Sequence, residues 1–168
     1  MGCELFTIGH SSHTIGRFLA LLSSHEIELL CDVRSTPYSR FNPQFNREPL
    51  NAALAARNIA YLFLGSMLGG KPRDRDYPAD DGARFALIAG SERFRAGLGR
   101  LLEEAERCRT AIMCAEKDPA HCHRGLLICP NIPAGIAIHH ILSDGSIQDH
   151  VGIAVQEQEE DAGQQSLF

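Results

Sequence analysis

The chain has 168 residues, 44% of them hydrophobic and 22% charged, which fits one globular domain with a full hydrophobic core. Its net charge of −5 argues against a broad surface that coats nucleic acid, although it permits a local basic cleft. No apolar stretch approaches the roughly 20 residues of a membrane span and no secretory signal is visible, so we expect a cytoplasmic protein with no membrane partner.

Apolar segments predict the strands of the fold, and several of them are continuously apolar, as in strands buried on both faces. Helical periodicity lies between these segments, with Thr14 and Ser91 as N-caps of the first and third helices. The predicted strands cover residues 3–9, 27–34, 59–65, 110–116 and 135–142. A second helix surrounds Leu54, and a short fourth helix starts at Cys122 and ends by Pro130.

This alternation predicts an α/β fold with a mainly parallel sheet of about five strands and helices on both faces. The domain covers residues 1–152, and a tight turn at 143–146 predicts a C-terminal hairpin strand. Residues 153–168 are polar and acidic, which is typical of a flexible tail.

Polar residues follow four of the predicted strands, and the carboxyl ends of parallel strands are where open sheets bind ligands. His10 and Ser11 follow the first strand, where His10 is either a general acid/base or a loop histidine. Asp32 and Arg34 follow the second strand. They form either an ion pair that holds the strand end, or a site in which Asp32 orients a catalytic group and Arg34 binds an anion.

Two further loops carry candidate binding residues. Tyr38 and Arg40 lie in a loop that mixes aromatic and basic side chains, which can stack a base and hold a phosphate or can form an ordinary surface loop. Gly69 and Gly70 allow close backbone approach beside Lys71, but the segment does not match a P-loop.

The segment "CAEKDPAHCHR" (114–124) concentrates the most reactive groups, and it permits three chemistries. Zinc is one, with Cys114, His121, Cys122 and His123 as ligands, although three adjacent candidates cannot all face one ion. A Cys122 nucleophile is the second, because a helix N-terminus and neighbouring cations lower a thiol pKa. An anion pocket at His123 and Arg124, with Glu116 as general base, is the third and is favoured.

Four stretches resemble a known family: "TIGHS", "CDVRSTPYSRFNPQFN", "YLFLGSMLGG" and "CAEKDPAHCHR". In this order they are similar to the bacterial domain-of-unknown-function family DUF488 over roughly residues 5–142. The resemblance implies a single cytoplasmic α/β domain and supplies no reaction. Its shared polar residues are His10, Asp32, Arg34, Glu116, His123 and Arg124. The "DVR" element is also similar to rhodanese domains, whose active-site loop is not evident here.

The last five residues, "QQSLF", resemble the peptide by which bacterial polymerases and repair proteins bind the DNA sliding clamp. Gln164, Leu167 and Phe168 would be the contact residues, while Gln165 replaces the usual leucine. Two apolar anchors at the end of a flexible tether can fill a pocket and fold on binding.

The function expected from these features is an enzyme acting on a phosphorylated or nucleic-acid substrate, as a hydrolase or in nucleotide processing, recruited to DNA by the clamp. His10 and Glu116 would transfer protons while Arg34 and Arg124 bind anionic groups. Two alternatives stay open: a non-catalytic DNA- or nucleotide-binding module, and a cysteine-dependent thiol or sulfur-transfer enzyme. No cofactor is indicated.

Overall fold

The computed structural model describes residues 2–150, and within them six strands form one sheet in the order β3-β2-β4-β1-β5-β6. The first five strands run parallel, and β6 pairs antiparallel with β5. The strands are β1 (Glu4–Gly9), β2 (Leu29–Asp32), β3 (Ala60–Phe63), β4 (Thr110–Cys114), β5 (Ala137–Ile141) and β6 (Ile147–Asp149). The predicted α/β class, the mainly parallel sheet and the C-terminal hairpin are therefore confirmed.

Helices connect the strands and cover both faces of the sheet. The α-helices are α1 (Ile15–Ser24), α2 (Arg47–Ala55), α3 (Gly65–Leu68), α4 (Asp81–Ala89) and α5 (Glu92–Arg107). Short 3₁₀ turns occur at Pro43–Phe45, Pro119–His121 and Cys129–Asn131, and a single π-helical turn spans Arg124–Ile128.

The two predicted N-caps are confirmed. The Thr14 hydroxyl accepts a hydrogen bond from the Arg17 amide at 3.1 Å, and the Ser91 hydroxyl accepts one from the Phe94 amide at 3.2 Å. The helix predicted from Cys122 begins two residues later, as a π turn followed by a 3₁₀ turn.

Alternate residues of β1, β2 and β4 pack into two separate cores. Phe6 of β1 lies in the core that contains α1 and α2, whereas its neighbour Leu5 lies in the core that contains α3, α4 and α5. Both faces of the strands are covered in this way, which explains why the strand sequences are continuously apolar.

Helices of membrane-spanning length and hydrophobicity do not occur among residues 2–150. The predicted acidic tail and its "QQSLF" peptide lie outside the described residues.

Candidate active site

A cleft of about 570 Å³ opens at the carboxyl edge of the sheet. The segments that follow β2, β3 and β4 form its walls, together with α4. Three of the four strand ends that carry predicted site residues therefore meet here, as expected for parallel strands. The fourth segment, which follows β1, is not part of the lining.

Asp32 and Arg34 form a buried ion pair beside the cleft. The Arg34 Nη2 and Nε atoms donate to the two carboxylate oxygens of Asp32 at 2.7 and 2.9 Å. The Arg34 amide and the Tyr61 hydroxyl complete the set of donors, at 3.1 and 2.7 Å. With four hydrogen bonds accepted, Asp32 holds the strand end in place. The structure thus shows the ion pair that the sequence offered as one interpretation, with Arg34 and Tyr61 as the donors to Asp32.

Arg34 is the member of this pair that reaches the cleft lining, although only 5% of it is exposed. Its Nη2 atom also donates to the Phe45 carbonyl at 2.8 Å, and its Nη1 atom lies 3.4 Å from His10 Nε2. One N–H of Nη1 remains for a ligand, because the other guanidinium donors already have partners.

His10 is a buried histidine with both ring nitrogens engaged. Its Nδ1 atom donates to the Ser11 carbonyl at 2.8 Å, its Nε2 atom faces Arg34, and its ring stacks on Phe45 with centroids 4.5 Å apart. Burial, with a contribution from the Arg34 guanidinium, lowers the pKa of His10 to about 4. His10 and Ser11 therefore lie at the end of β1 outside the lining of the cleft, and their predicted roles stay predictions.

Cys122 lies on the cleft wall with its Sγ atom surrounded by hydrogen-bond donors. The Cys114 thiol donates to it across 3.3 Å, and the backbone amides of Arg124 and Gly125 also donate to it. The Cys114 hydrogen bond, the Arg124 guanidinium and these amides lower the Cys122 pKa to about 7, although burial opposes the shift. The same hydrogen bond raises the pKa of Cys114. Cys122 is therefore the more acidic thiol of the pair, with Cys114 as its hydrogen-bond donor. In the protonated form, the Cys122 thiol donates to the Pro119 carbonyl at 3.9 Å.

Arg124 is completely buried and does not line the cleft. Its Nη2 atom donates to the Lys117 carbonyl at 3.1 Å, while Nε and Nη1 have no hydrogen-bond partner within the described part of the chain. A buried cation without a counter-ion is costly, so a neighbouring anion is favoured. Arg124 thus lies behind the lining, where its charge acts on Cys122, and its predicted contact with an anionic ligand stays a prediction.

The rest of the cleft wall is mainly basic. Lys71 and Arg73 are exposed there, and Arg84 is held in place by Asp81 and by the Gly70 carbonyl. Two titratable groups, Glu116 and His121, are exposed on the same wall. The lining includes four cationic side chains, Arg34, Lys71, Arg73 and Arg84, and two carboxylates, Asp81 and Glu116.

The model of the domain of unknown function DUF488 matches residues 14–129. The chain belongs to this family. The matched residues include every segment that lines the cleft, whereas His10 and Ser11 lie before them. Neither the comparison with curated proteins nor the comparison with solved structures gave a match.

His123 is the second histidine of the DUF488 cleft. Its Nε2 atom donates to the Val33 carbonyl at 2.8 Å, so Nδ1 is the ring atom that can accept a proton. Burial lowers the pKa of His123 and keeps the ring neutral. A Cβ atom at Gly70 would lie 2.8 Å from the His123 Cβ, so this glycine allows the close approach that the sequence predicted.

Besides Ser11 and Arg124, three further predicted binding residues lie outside the lining of the cleft. The Tyr38 hydroxyl donates to Glu48 at 2.7 Å, the Arg40 guanidinium lies 5.9 Å from the centre of the exposed Phe41 ring, and Gly69 packs against Ser35. The loop that carries Tyr38 and Arg40 lies at the surface with Phe41 exposed, and both interpretations of this loop stay open.

The four zinc ligands considered from the sequence do not form a metal cluster in residues 2–150. His123 Nε2 is occupied by Val33, and His121 Nε2 lies 3.5 Å from the Asp118 carboxylate. The cluster with suitable distances in this part of the chain consists of other residues, Cys129, His140 and His150.

Sequence reasoning missed the contribution of α4 to the cleft and the role of Cys114. The Asp80 side chain caps α4 by accepting a hydrogen bond from the Ala83 amide at 2.8 Å, and Arg84 and Phe85 of this helix line the cleft. The sequence did contain a signal for this helix, because Asp80 is a typical N-cap residue and a segment with Ala and Leu follows it. The Cys114–Cys122 contact joins residues eight positions apart, and no local pattern indicates it.

Proposed function

We propose that the chain is an enzyme in which the Cys122 thiolate acts as a nucleophile on an anionic substrate, phosphorylated or nucleic acid, bound in the basic cleft. The observation that carries this proposal is the Cys122 Sγ atom, which lies on the cleft wall and accepts hydrogen bonds from one thiol and two backbone amides. The proposal combines two expectations from the sequence: the anionic substrate of the favoured function and the cysteine nucleophile of the thiol-enzyme alternative.

Charge supports the nucleophilic role. A thiolate, not a thiol, is the attacking species, and a pKa of about 7 leaves about half of Cys122 ionised at neutral pH. The buried Arg124 guanidinium stabilises this form from behind, where it does not obstruct the cleft. An ordinary thiol with a pKa of about 8.5 would be only a few per cent ionised at pH 7.

The cleft wall supports the choice of substrate. Lys71 and Arg73 offer flexible cations, and the remaining Arg34 Nη1 donor lies on the same wall. Cationic side chains that converge beside a nucleophile hold anionic groups of a substrate and stabilise charge that develops during attack.

In the proposed step, Cys122 Sγ forms a bond to an electrophilic atom of the substrate while the bond to the leaving group breaks. The His121 imidazolium on the wall donates the proton that the leaving group needs, and Glu116 accepts the proton that the attacking water or acceptor releases in the second step. Water, or an acceptor in a transfer reaction, then displaces the substrate fragment from sulfur and restores the thiolate.

The experiment is a screen of nucleotides and 5′-phosphorylated oligonucleotides, read by product chromatography and by mass spectrometry of the intact protein. We expect turnover or a covalent adduct with the natural chain and with Cys108→Ser, whose thiol lies outside the cleft, and neither with Cys122→Ser. Binding without turnover or adduct would contradict the proposal and favour the binding module. Turnover that survives in Cys122→Ser would contradict the nucleophile.

We also propose that the C-terminal peptide recruits this enzyme to the DNA sliding clamp. The support is the resemblance of "QQSLF" to clamp-binding peptides, with Gln164, Leu167 and Phe168 as contacts. Deletion of Leu167 and Phe168 should abolish capture of the full chain by immobilised clamp, while Gln165→Leu should strengthen it. Capture that is unchanged by the deletion would overturn this assignment.

A further inference from the structure

Three side chains with metal-ligand chemistry meet outside the cleft. Cys129, His140 and His150 each offer a ligand atom, and these atoms all lie within 4.8 Å of one another. They come from three different places in the chain: the 3₁₀ turn Cys129–Asn131, strand β5, and the residue that follows β6. The proposed reaction does not use them, and His140 and His150 lie beyond the residues that the family model matches.

The distance between the two imidazoles fits a shared ion. His140 Nε2 and His150 Nδ1 lie 3.2 Å apart, at the long end of the range for a hydrogen bond. Two nitrogens bound to one tetrahedral zinc ion at about 2.0 Å are separated by about 3.3 Å. The two rings therefore already have the spacing that coordination requires.

The sulfur needs a small adjustment. In a tetrahedral site a thiolate sulfur lies about 3.6 Å from each ligand nitrogen. The ligand atoms of this cluster lie at most 4.8 Å apart. The distance from Cys129 Sγ to each nitrogen therefore has to shorten by at most about 1.2 Å. One thiolate and two imidazoles form a ligand set that suits Zn²⁺ and related divalent ions.

A buried threonine orients the central histidine. The Thr7 hydroxyl lies 2.6 Å from His140 Nδ1, and the two residues are register partners on β1 and β5. When the Nδ1–H group donates a hydrogen bond to the Thr7 hydroxyl oxygen, Nε2 of the same ring is unprotonated. Its lone pair then faces His150 and the metal position. Metal-binding histidines are commonly held by a second hydrogen bond of this kind.

The charges around the cluster allow a divalent ion when Cys129 is deprotonated. Burial raises the pKa of Cys129 to about 12, with an opposing contribution from Arg124, so the metal must displace the thiol proton. The Arg124 guanidinium also acts on His140 and repels a cation. The new thiolate offsets this repulsion, because it places a negative charge near both the ion and Arg124.

We infer that Cys129, His140 and His150 bind a zinc-type divalent ion, with water in a fourth position. Binding converts one thiol to a thiolate and releases one proton to the buffer. The ion would tie the β5–β6 hairpin to the turn that follows the π-helical residues Arg124–Ile128, which begin two residues after Cys122.

The test uses the full chain, freed of metal by a chelator and titrated with Co²⁺. We expect the visible absorption of tetrahedral Co²⁺ together with a sulfur-to-cobalt band in the near ultraviolet. Cys129→Ser should lose the sulfur band, and His150→Asn should weaken binding by at least ten-fold. Zn²⁺ should raise the unfolding temperature of the natural chain and leave that of His150→Asn unchanged.

Two control variants separate this site from its neighbours. Cys122→Ser removes the cleft thiol, and His139→Asn removes the ring that lies 2.8 Å from Asp149 and 3.4 Å from Glu4. Both should keep the cobalt spectrum. The assignment would be overturned if either control lost the cobalt spectrum while His150→Asn kept it. It would also be overturned if the natural chain bound no cobalt. If Cys129→Ser fails to fold, the cobalt affinity of His150→Asn decides whether the assignment holds.

Discussion

Cys122 owes its acidity to a second thiol, a buried cation and two backbone amides, and no histidine is its principal partner. Cys114 lowers the pKa of Cys122 the most, because its thiol donates a hydrogen bond to Cys122 Sγ across 3.3 Å. Hydrogen bonds to the charged form of an acid lower its pKa. The reactivity of this residue therefore depends on a neighbour that does no chemistry itself.

Replacement of Cys114 by alanine should raise the Cys122 pKa by about one unit, because the thiolate loses its principal donor. Alkylation of Cys122 by iodoacetamide at pH 7 should then slow by about five-fold, as the thiolate fraction falls from about one half to about one tenth. Cys108→Ala is the matched control and should leave the rate unchanged. An equal rate in Cys114→Ala and the natural chain would show that Cys114 is only a packing residue.

Substitution of two tyrosines tests how much the hydrogen bonds of the buried Asp32 contribute to the free energy of unfolding. Tyr61→Phe removes the hydroxyl that donates to Asp32 at 2.7 Å, so we expect the free energy of unfolding to fall by about 1 kcal/mol. Tyr38→Phe removes an equally short bond, to the exposed Glu48, and should change stability little. Urea denaturation measures both variants. An equal loss of stability in the two would contradict the structural importance of Asp32.

At the residue scale, the sequence indicated which residues matter better than it indicated what they do. Cys122, His123, Glu116, Arg34 and Gly70 do line the cleft. His10 and Asp32 follow apolar strands in the same way, yet they are buried behind it. A polar residue at a strand end can face the ligand or support the strand, and only the packing of neighbouring loops decides between them.

The turn between β4 and β5 is the element that positions the candidate nucleophile. Gly125 follows Arg124 at the start of the π-helical turn, where a Cβ atom would lie 1.8 Å from the Pro119 carbonyl oxygen. This close approach joins the turn to the 3₁₀ segment Pro119–His121 and directs the Arg124 and Gly125 amides at Cys122. The geometry requires glycine at this position.

Gly125→Ala should therefore destabilise the protein by about 2–3 kcal/mol through overpacking and should raise the Cys122 pKa as the amides move away. Gly99→Ala is the control, since that glycine is exposed in α5 with nothing within 4 Å of its Cβ position. It should stabilise the protein by up to about 1 kcal/mol. Urea denaturation and alkylation rates measure both, and a neutral Gly125→Ala would contradict this view of the turn.

At the element scale, the strands were predictable because both of their faces are buried and their sequences are continuously apolar. α1 and α5 were predictable from their periodicity and their capping side chains. α4 was not recognised, because Ile88 is the one residue of this helix that is fully buried and its apolar stripe is weak. The π turn was also unforeseen, since its geometry depends on the contact between Gly125 and Pro119.

The whole molecule combines a net charge of −5 with a cleft whose wall is mainly basic. Under the proposed function, this charge distribution would steer anionic substrates toward the cleft and away from the remaining surface. The charge of Arg124 acts on Cys122 in the cleft and on His140 in the proposed metal site. One buried guanidinium therefore affects both of the sites proposed for this protein.

The central claim is that Cys122 is an activated thiolate, and the pH dependence of alkylation tests it most directly. The full chain is treated with iodoacetamide between pH 5 and pH 10, and mass spectrometry follows each cysteine separately. Because the thiolate is the reactive form and its pKa is lowered to about 7, Cys122 should react with a midpoint near pH 7 and should be the fastest cysteine at pH 6. A midpoint near pH 9, or labelling of Cys122 no faster than that of Cys108, would contradict the account.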